Sequence, residues 1–505
     1  MKPLYFMGID VGTNETKGVL INSGCEIVKY MSKKHNVENP LPNFFEQDAE
    51  QVWWGDVCYV SRALIEQSGI SPESIKCLGI SALGCDCVPV DKDCRPLCKA
   101  ILYGIDSRSY KEIDYLNGYY GKETAEKLFG HTLCSSDIAP KILWIKNNLP
   151  DVYAGTYKFL TASSYITAKL TGRYCIDKYL AEDFAPLYDL GTDSADEKMC
   201  GLYCKPSQLA EIVRATDIVG HITAKASAET GLSENTTVLA GTGDSGAEAI
   251  STGIFSPGDV MIQLGSSCYF IYLSDRLIND GRVWPGTFII PKTFGICAGT
   301  NTAGTLTKWF RDEIYTDCLK NEQAGGPNAF SAMAGSIEGI PAGSGGLITL
   351  PYFAGERTPI NDPFAKGAVF GLKLNHTRAH IYKSALEGIG YSIAQYFDIL
   401  KENKLPVKKI MAVGGGTQNR PWLQIIADIL GRTVCTAKVT IGASYGDAIM
   451  AALAGGAYKS WDDMGKVIKP ELEISPNVEN HVIYSEKREI YDKLYQLTKE
   501  LMHKV

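Results

Sequence analysis

The sequence predicts an α/β protein of two related domains with mixed sheets, whose polar hairpin tips face each other across a deep cleft. Three observations predict it. Short apolar, strand-like runs alternate with helical periodicity along all 505 residues, the pattern of helices packed on sheets. Residues 8–21, GIDVGTNETKGVLI, read as two buried strands joined by a polar bend. Residues 259–273, DVMIQLGSSCYFIYL, repeat that scheme half a chain later. The length suits two or three domains of about 100 to 200 residues each. The boundary falls in the stretch 251–257, which gives domains of 1–252 and 253–505.

In the first hairpin, Phe6, Ile9, Val19 and Ile21 fit a covered, pleated pair, while Gly12 and Thr13-Asn14 supply turn chemistry. Asp10, Thr13, Asn14 and Lys17 gather at the bend. Hydroxyls and backbone amides suit phosphate oxygens, and a lone carboxylate suits magnesium. An ordinary surface turn explains the segment equally well. Residues 77–109 read as a strand, a turn at 91–93 and a returning strand. Two segments with helical spacing follow, APKILWIKNNLPDVY and KFLTASSYITAKLTG, the second ending at Gly172 as helices commonly do.

In TVLAGTGDSGAEAISTG, Asp244 follows a strand and a glycine turn at a helix start. That position favours the ionised carboxylate and suits it to accept a hydroxyl proton. Plain helix capping is the commoner duty of such an aspartate. Further on, IMAVGGGTQNRPWLQIIADILG runs from a strand through Gly414, Gly415 and Gly416 into an amphipathic helix. Missing side chains there let a flat or anionic ligand approach the backbone, although a tight turn accounts for them as well. The run is neither a Walker loop nor a dinucleotide fingerprint.

Composition excludes several classes. The formal net charge is -7 and no basic block appears, which argues against nucleic acid as a partner. The chain enters a strand almost at once, without a leader pattern, and no run of about 18 apolar residues follows; a cytoplasmic protein with no membrane partner is expected. The 15 cysteines are odd in number and scattered, as in reduced proteins. The tightest group, Cys85, Cys87, Cys94 and Cys98, lacks paired CxxC spacing and a nearby histidine, which disfavours zinc. His376 and His380 lie four apart but without the HExxH glutamate, so helix-start packing is their expected role.

Taken in order, these pieces resemble the FGGY carbohydrate kinases, sugar-phosphorylating relatives of actin, hexokinase and the heat-shock chaperone ATPases. The resemblance rests on GIDVGTNETKG, AILYGIDSR, GTGDSGAEAISTG, QLGSSCYF, AGTNTAGTLTKWFRD, the long run GERTPINDPFAKGAVFGLKLNHTRAHIYKSALEG, and GGGTQN with ASYGDAIMAALAGG. It implies two actin-like, ribonuclease H-like domains: an N-terminal one for the sugar and catalytic base, and a C-terminal one for the nucleotide. ATP and magnesium are the implied cofactors, and a homodimer is compatible with the family. By position, Asp244 is the implied general base and Asp10 the implied organiser of magnesium. Thr13, Asn14 and Lys17 fall near the phosphates, Gly265 and Ser266 cradle phosphate from the other domain, and Gly415, Gly416 and Asn419 border the adenosine. The segment ASYGDAIMAALAGG is expected on the nucleotide side.

The acceptor pocket departs from the family pattern. Xylulose kinases carry Gln-Met-His-Gly where this chain reads Leu83-Gly84-Cys85-Asp86, so Cys85 takes the histidine position. Tyr103 replaces a common tryptophan, with Asp106 after it, and Ser245 replaces an asparagine beside Asp244. Cys85, Asp86, Tyr103, Asp106, Asp244 and Ser245 are therefore the expected substrate contacts, with turn or ion-pair duty the alternative for Asp86 and Asp106. D-xylulose is the leading acceptor. Ribulose, fuculose, erythritol or an aldonate are alternatives, as are a nucleotide-binding regulator without transfer activity and an actin-like ATPase acting on proteins.

Overall fold

The computed structural model describes residues 3–129 and 131–505. They form two compact units. The first comprises Met1–Phe255, Gly286–Thr293 and Ile441–Ile468, and the second Ser256–Pro285, Phe294–Thr440 and Lys469–Val505. The first segment thus ends three residues past the expected 252, and two later segments return to the first unit. For the second of these the physical reason is the packing of helix Ala443–Ala454.

In the first unit the sheet contains β1 (Tyr5–Val11), β2 (Glu15–Asn22), β3 (Ile27–Lys34), β4 (Ile75–Ala82), β5 (Ile218–His221), β6 (Thr237–Leu239) and β7 (Thr242–Gly243). Their spatial order is β5-β6-β4-β1-β2-β3, with β7 also pairing β4. Strand β1 is antiparallel to β2 and parallel to β4, which places Asp10 opposite both Lys17 and Ser81. Phe6, Met7, Ile9 and Val11 have no exposure, because helices cover the sheet on both faces. Each such side chain contributes about 1.5–3 kcal/mol of burial.

Helix Ala443–Ala454 packs directly on β1 and on helix Asp244–Ser251. Its approach requires glycine: a Cβ at Gly8 would lie 2.0 Å from the Ser444 carbonyl oxygen, and one at Gly446 only 1.8 Å from that of Ala247. The segment ASYGDAIMAALAGG, expected on the nucleotide side, therefore belongs to the first unit. Small residues let three backbones meet, and helical periodicity alone does not reveal which sheet they meet on.

The second unit has β8 (Asp259–Leu264), β9 (Cys268–Ser274), β10 (Phe294–Gly299), β11 (Lys409–Val413), β12 (Val434–Ala437) and β13 (Pro470–Ile474). Their order is β10-β9-β8-β11-β12-β13. Read from β3 in the first sheet and from β10 in the second, both run antiparallel, antiparallel, parallel, parallel, antiparallel. The echo between the hairpins thus extends to whole sheets, and the bends after β1 and β8 occupy equivalent places. Helices Arg378–Glu402, Arg420–Leu430 and Val478–Met502 pack together beside this sheet.

Smaller expectations resolve similarly. The Asp91 side chain accepts from the amides of Asp93 and Arg95, building the expected turn. Helices cover Ile138–Asn148 and Ala162–Thr171, and Gly172 closes the second in the left-handed region. His380 Nδ1 lies 3.0 Å from the Thr377 hydroxyl at the start of Arg378–Glu402, so the histidine pair serves the helix start. All 15 cysteines are free. Among the described residues, no helix is long and apolar enough to cross a membrane.

Candidate active site

The first hairpin is bolted from beneath. The Gly12 amide donates to the Glu15 carbonyl at 3.1 Å, which closes the turn. The His35 ring contacts the Gly12 carbonyl at 2.9 Å, Gln47 Nε2 donates to that of Thr13 at 2.8 Å, and the His35 amide donates to that of Asn14 at 3.0 Å. With its carbonyls occupied, the tip retains amides and the side chains of Thr13 and exposed Asn14, a donor set suited to phosphate oxygens.

Behind the tip, Ser81 Oγ lies 2.7 Å from Asp447 Oδ2 and 3.2 Å from Asp10 Oδ1. Asp447 is fully buried, and its Oδ1 has no partner among the described residues. Burial pushes the Asp10 carboxyl up to about 8, with the charge of Asp244 adding to the rise and Lys17 opposing it. Asp447 is held well above the ordinary carboxylate range, again chiefly by burial, with Asp10 and Asp244 contributing. Buried carboxyls gathered around one serine hydroxyl, with one oxygen unpartnered, fit a divalent cation bound through oxygen. Asp10, the expected metal residue, and Asp447, which sequence reasoning missed, are the two carboxyls here that could hold such an ion.

Asp244 opens helix Asp244–Ser251, with Gly243 in the capping position. It is therefore not the cap. Its Oδ1 accepts from the Ser245 amide at 2.6 Å, and the side chain stays partly exposed. Burial pushes its pKa up to about 6, and that hydrogen bond works against the rise. Ser245 Oγ lies 2.9 Å from the Tyr179 hydroxyl. The Tyr179 segment is anchored because Asp177 accepts the Thr242 hydroxyl at 2.8 Å, and Thr242 belongs to β7, just before Asp244.

Of the remaining expected acceptor contacts, Asp86 lies within electrostatic reach of Asp244 and Cys85 within that of Asp183, while Tyr103 serves the hairpin, its hydroxyl 3.1 Å from Thr13 Oγ1. Asp86 is fully buried and takes the Ala162 amide at 2.9 Å. Asp106 differs from the expectation of a sugar contact. Its carboxylate receives Arg108 Nε at 2.9 Å, an Arg108 terminal nitrogen at 2.7 Å and the Phe45 amide at 2.6 Å. Arg108 in turn reaches Glu46 and lies 4.2 Å from the Phe44 ring centre. Such a saturated carboxylate holds its loop and has little capacity left for a substrate hydroxyl.

The second unit carries a cavity of about 560 Å³ lined by all five residues expected there, Gly265, Ser266, Gly415, Gly416 and Asn419. The Ser266 carbonyl receives the amides of Ala303 and Thr305 at 3.0 and 2.9 Å, fixing the second hairpin tip. A Cβ at Gly415 would meet nothing within 4 Å, whereas one at Gly416 would lie 2.7 Å from Leu264 Cβ. Asn419 caps helix Arg420–Leu430 through the Trp422 amide at 3.1 Å. Lys308, Arg311, Phe330 and Tyr382 also line the cavity, with the Arg311 guanidinium 4.9 Å from the Phe330 ring centre. Glycine backbone, cations and aromatic faces in one cavity suit a nucleotide. Sequence reasoning overlooked these four because Lys308, Arg311 and Tyr382 sit in segments quoted only for the family resemblance and Phe330 in a stretch with no quoted motif; the basic Lys308 and Arg311 of AGTNTAGTLTKWFRD were the available signal.

Comparison with known proteins extends over both units. Residues 5–251 match the FGGY family of carbohydrate kinases, N-terminal domain, and residues 260–455 match its C-terminal domain. A xylulose kinase of Staphylococcus xylosus is 27% identical over 494 residues, covering 97% of this chain and 99% of that protein. A gluconokinase of Bacillus subtilis (strain 168) is 26% identical over 480 residues, covering 94% and 92%. The crystal structure of xylulose kinase from Rhodospirillum rubrum matches with a TM-score of 0.90 and 25% identity, covering 99% of this chain and 100% of that one.

Proposed function

Because the chain belongs to the FGGY family of carbohydrate kinases, we propose that it transfers the γ-phosphoryl group of ATP to a sugar or polyol hydroxyl, with D-xylulose, yielding D-xylulose 5-phosphate, as the leading acceptor. The carrying observation is Asp244: a partly exposed carboxyl at a helix start, within electrostatic reach of Asp10 and Asp447. With its pKa near 6, Asp244 is a stronger base than an ordinary carboxylate yet remains ionised at neutral pH.

Asp244 accepts the proton as the acceptor oxygen bonds to phosphorus and the bond to the departing ADP oxygen breaks. In the first unit Thr13, Asn14 and Lys17 are the donors for phosphate oxygens; in the second, Gly265 and Ser266 are the phosphate-binding turn, and Gly415, Gly416 and Asn419 border the adenosine. Asp10 and Asp447 would hold magnesium, which would supply neutralisation of phosphate charge. Phosphoryl transfer asks little covalent chemistry of the protein, so positioning, charge and one base suffice. The repeated sheet supports the actin-like, ribonuclease H-like reading of the fold. The 15 free thiols support action in the reducing cytoplasm.

Xylulose leads because xylulose kinases stand among the relatives, but Cys85 and Ser245 alter the hydrogen bonds that select an acceptor. The test is an ADP-release screen with MgATP over ketopentoses, ketohexoses, alditols and aldonic acids. Acceptor-dependent ADP release with at least one member is expected, strongest with D-xylulose; ATP binding with no release across the panel would instead favour a nucleotide-binding regulator.

A further inference from the structure

Beside Asp244 the first unit assembles a second group of acids. Leu180 joins two turns: its Cδ2 lies 3.5 Å from where a Gly84 Cβ would stand and 3.1 Å from where a Gly243 Cβ would stand. The residues that follow those glycines, Cys85 and Asp244, therefore share one wall. Asp183 lies on the same wall, its Oδ2 3.8 Å from the Gly84 Cβ position. Cys85 has φ 61, a left-handed backbone that a non-glycine residue adopts at a cost, and its thiol lies within electrostatic reach of Asp183. Asp86, next in the chain, is fully buried; one oxygen takes the Ala162 amide and the other has no partner among the described residues.

Little positive charge answers these acids. Lys141 is the cation acting on Cys85, Asp86 and Asp183. It is fully buried and already donates to the carbonyls of Ser135 at 2.6 Å and Asp137 at 3.1 Å. Lys178, on the adjoining turn, is engaged by Asp193 at 2.5 Å. A wall of carboxyl oxygens whose named cations are already engaged calls for a ligand rich in hydroxyls, and it offers a ligand's own carboxylate no free partner.

We infer that the acceptor is a neutral polyhydroxy compound, a ketose or alditol, rather than an aldonate or other anionic sugar, and that Asp183 and Asp86 set this choice. The inference rests on the kinase reading for the place of the site and narrows its substrate class. Burial and neighbouring acids push Asp183 up to about 7 and hold Asp86 well above the usual range. Negative charge is already costly there, and a further anion meets the same penalty.

Equilibrium titration of the full-length protein in saturating MgADP tests this without requiring turnover. D-xylulose, xylitol and D-xylonate share a five-carbon chain, and D-gluconate and sorbitol form a six-carbon pair. The better neutral member is expected to bind at least about 100-fold more tightly than the aldonate of equal length, a gap suited to a polar site facing a mismatched group. Asp183→Asn, at a half-buried position that tolerates an isosteric change, should narrow that gap at least about ten-fold, and Asp86→Asn should act in the same direction. Aldonate binding equal to or tighter than the neutral partner, failure of every neutral compound to bind, or an unchanged gap in Asp183→Asn would overturn the inference. Neutral binding without ADP release would sink the kinase assignment and leave the acceptor class standing.

Discussion

A carboxyl held near 6 loses half its charge in mildly acidic buffer, and for Asp244 that proton occupies the site where a hydroxyl proton must go. The rate should therefore be flat above about pH 7 and fall with unit slope below about pH 6, as follows for one essential base. A profile of kcat/KM that stays level down to pH 5 would exclude Asp244 as that base. Asp106 obeys a different logic, because its oxygens are saturated by Arg108 and backbone amides. Asp106→Asn leaves a guanidinium that is only 6% exposed with Glu46 as its remaining carboxylate partner, so a stability loss of about 1–3 kcal/mol is expected in urea unfolding. The residue types of the site were legible, since a carboxylate after a strand and glycine turn has few roles. The partners were not: nothing in AILYGIDSR reveals that Arg108 folds back on Asp106 two residues earlier.

Among elements, the hairpins were the most legible, because alternating burial and turn residues are local signals that survive folding unchanged. Helix Ala443–Ala454 was the least legible. Its alanines and glycines announce close packing, yet the sheet it packs on is chosen by backbone contacts at Gly8 and Gly446 that have no period to read. The acid it delivers, Asp447, was lost with it, though a lone carboxylate in so apolar a helix was a signal. Those contacts set a prediction. Gly446→Ala forces a methyl against the Ala247 carbonyl oxygen, where 1.8 Å separates them, and overpacking of this kind costs roughly 1–3 kcal/mol or more. A lower urea midpoint should accompany a lower kcat, because the same helix carries Asp447 and braces the helix of Asp244. Unchanged stability would mean that the two helices do not meet in this way.

For the whole molecule, buried acids with raised pKa values tie stability to pH. Asp10 is pushed up to about 8, Asp177, Asp183, Glu356 and Glu387 to about 7, and burial leads in every case. The folded chain then binds more protons than the unfolded one between about pH 4 and 8, so the stabilisation these groups confer is present in acid and lost as pH rises through that window. The urea midpoint should fall from pH 5 to pH 8, and magnesium should flatten the decline by favouring ionised Asp10. A midpoint that rises with pH and ignores magnesium would contradict the cation site.

The most direct measurement is transfer of labelled γ-phosphate from ATP to the best acceptor by Asp244→Ala beside the unaltered protein. The expected result is loss of transfer by about 10²–10⁴-fold, the usual contribution of a positioned base, with nucleotide affinity unchanged because that cavity lies wholly in the second unit. Transfer by Asp244→Ala at the unaltered rate would contradict the proposed chemistry.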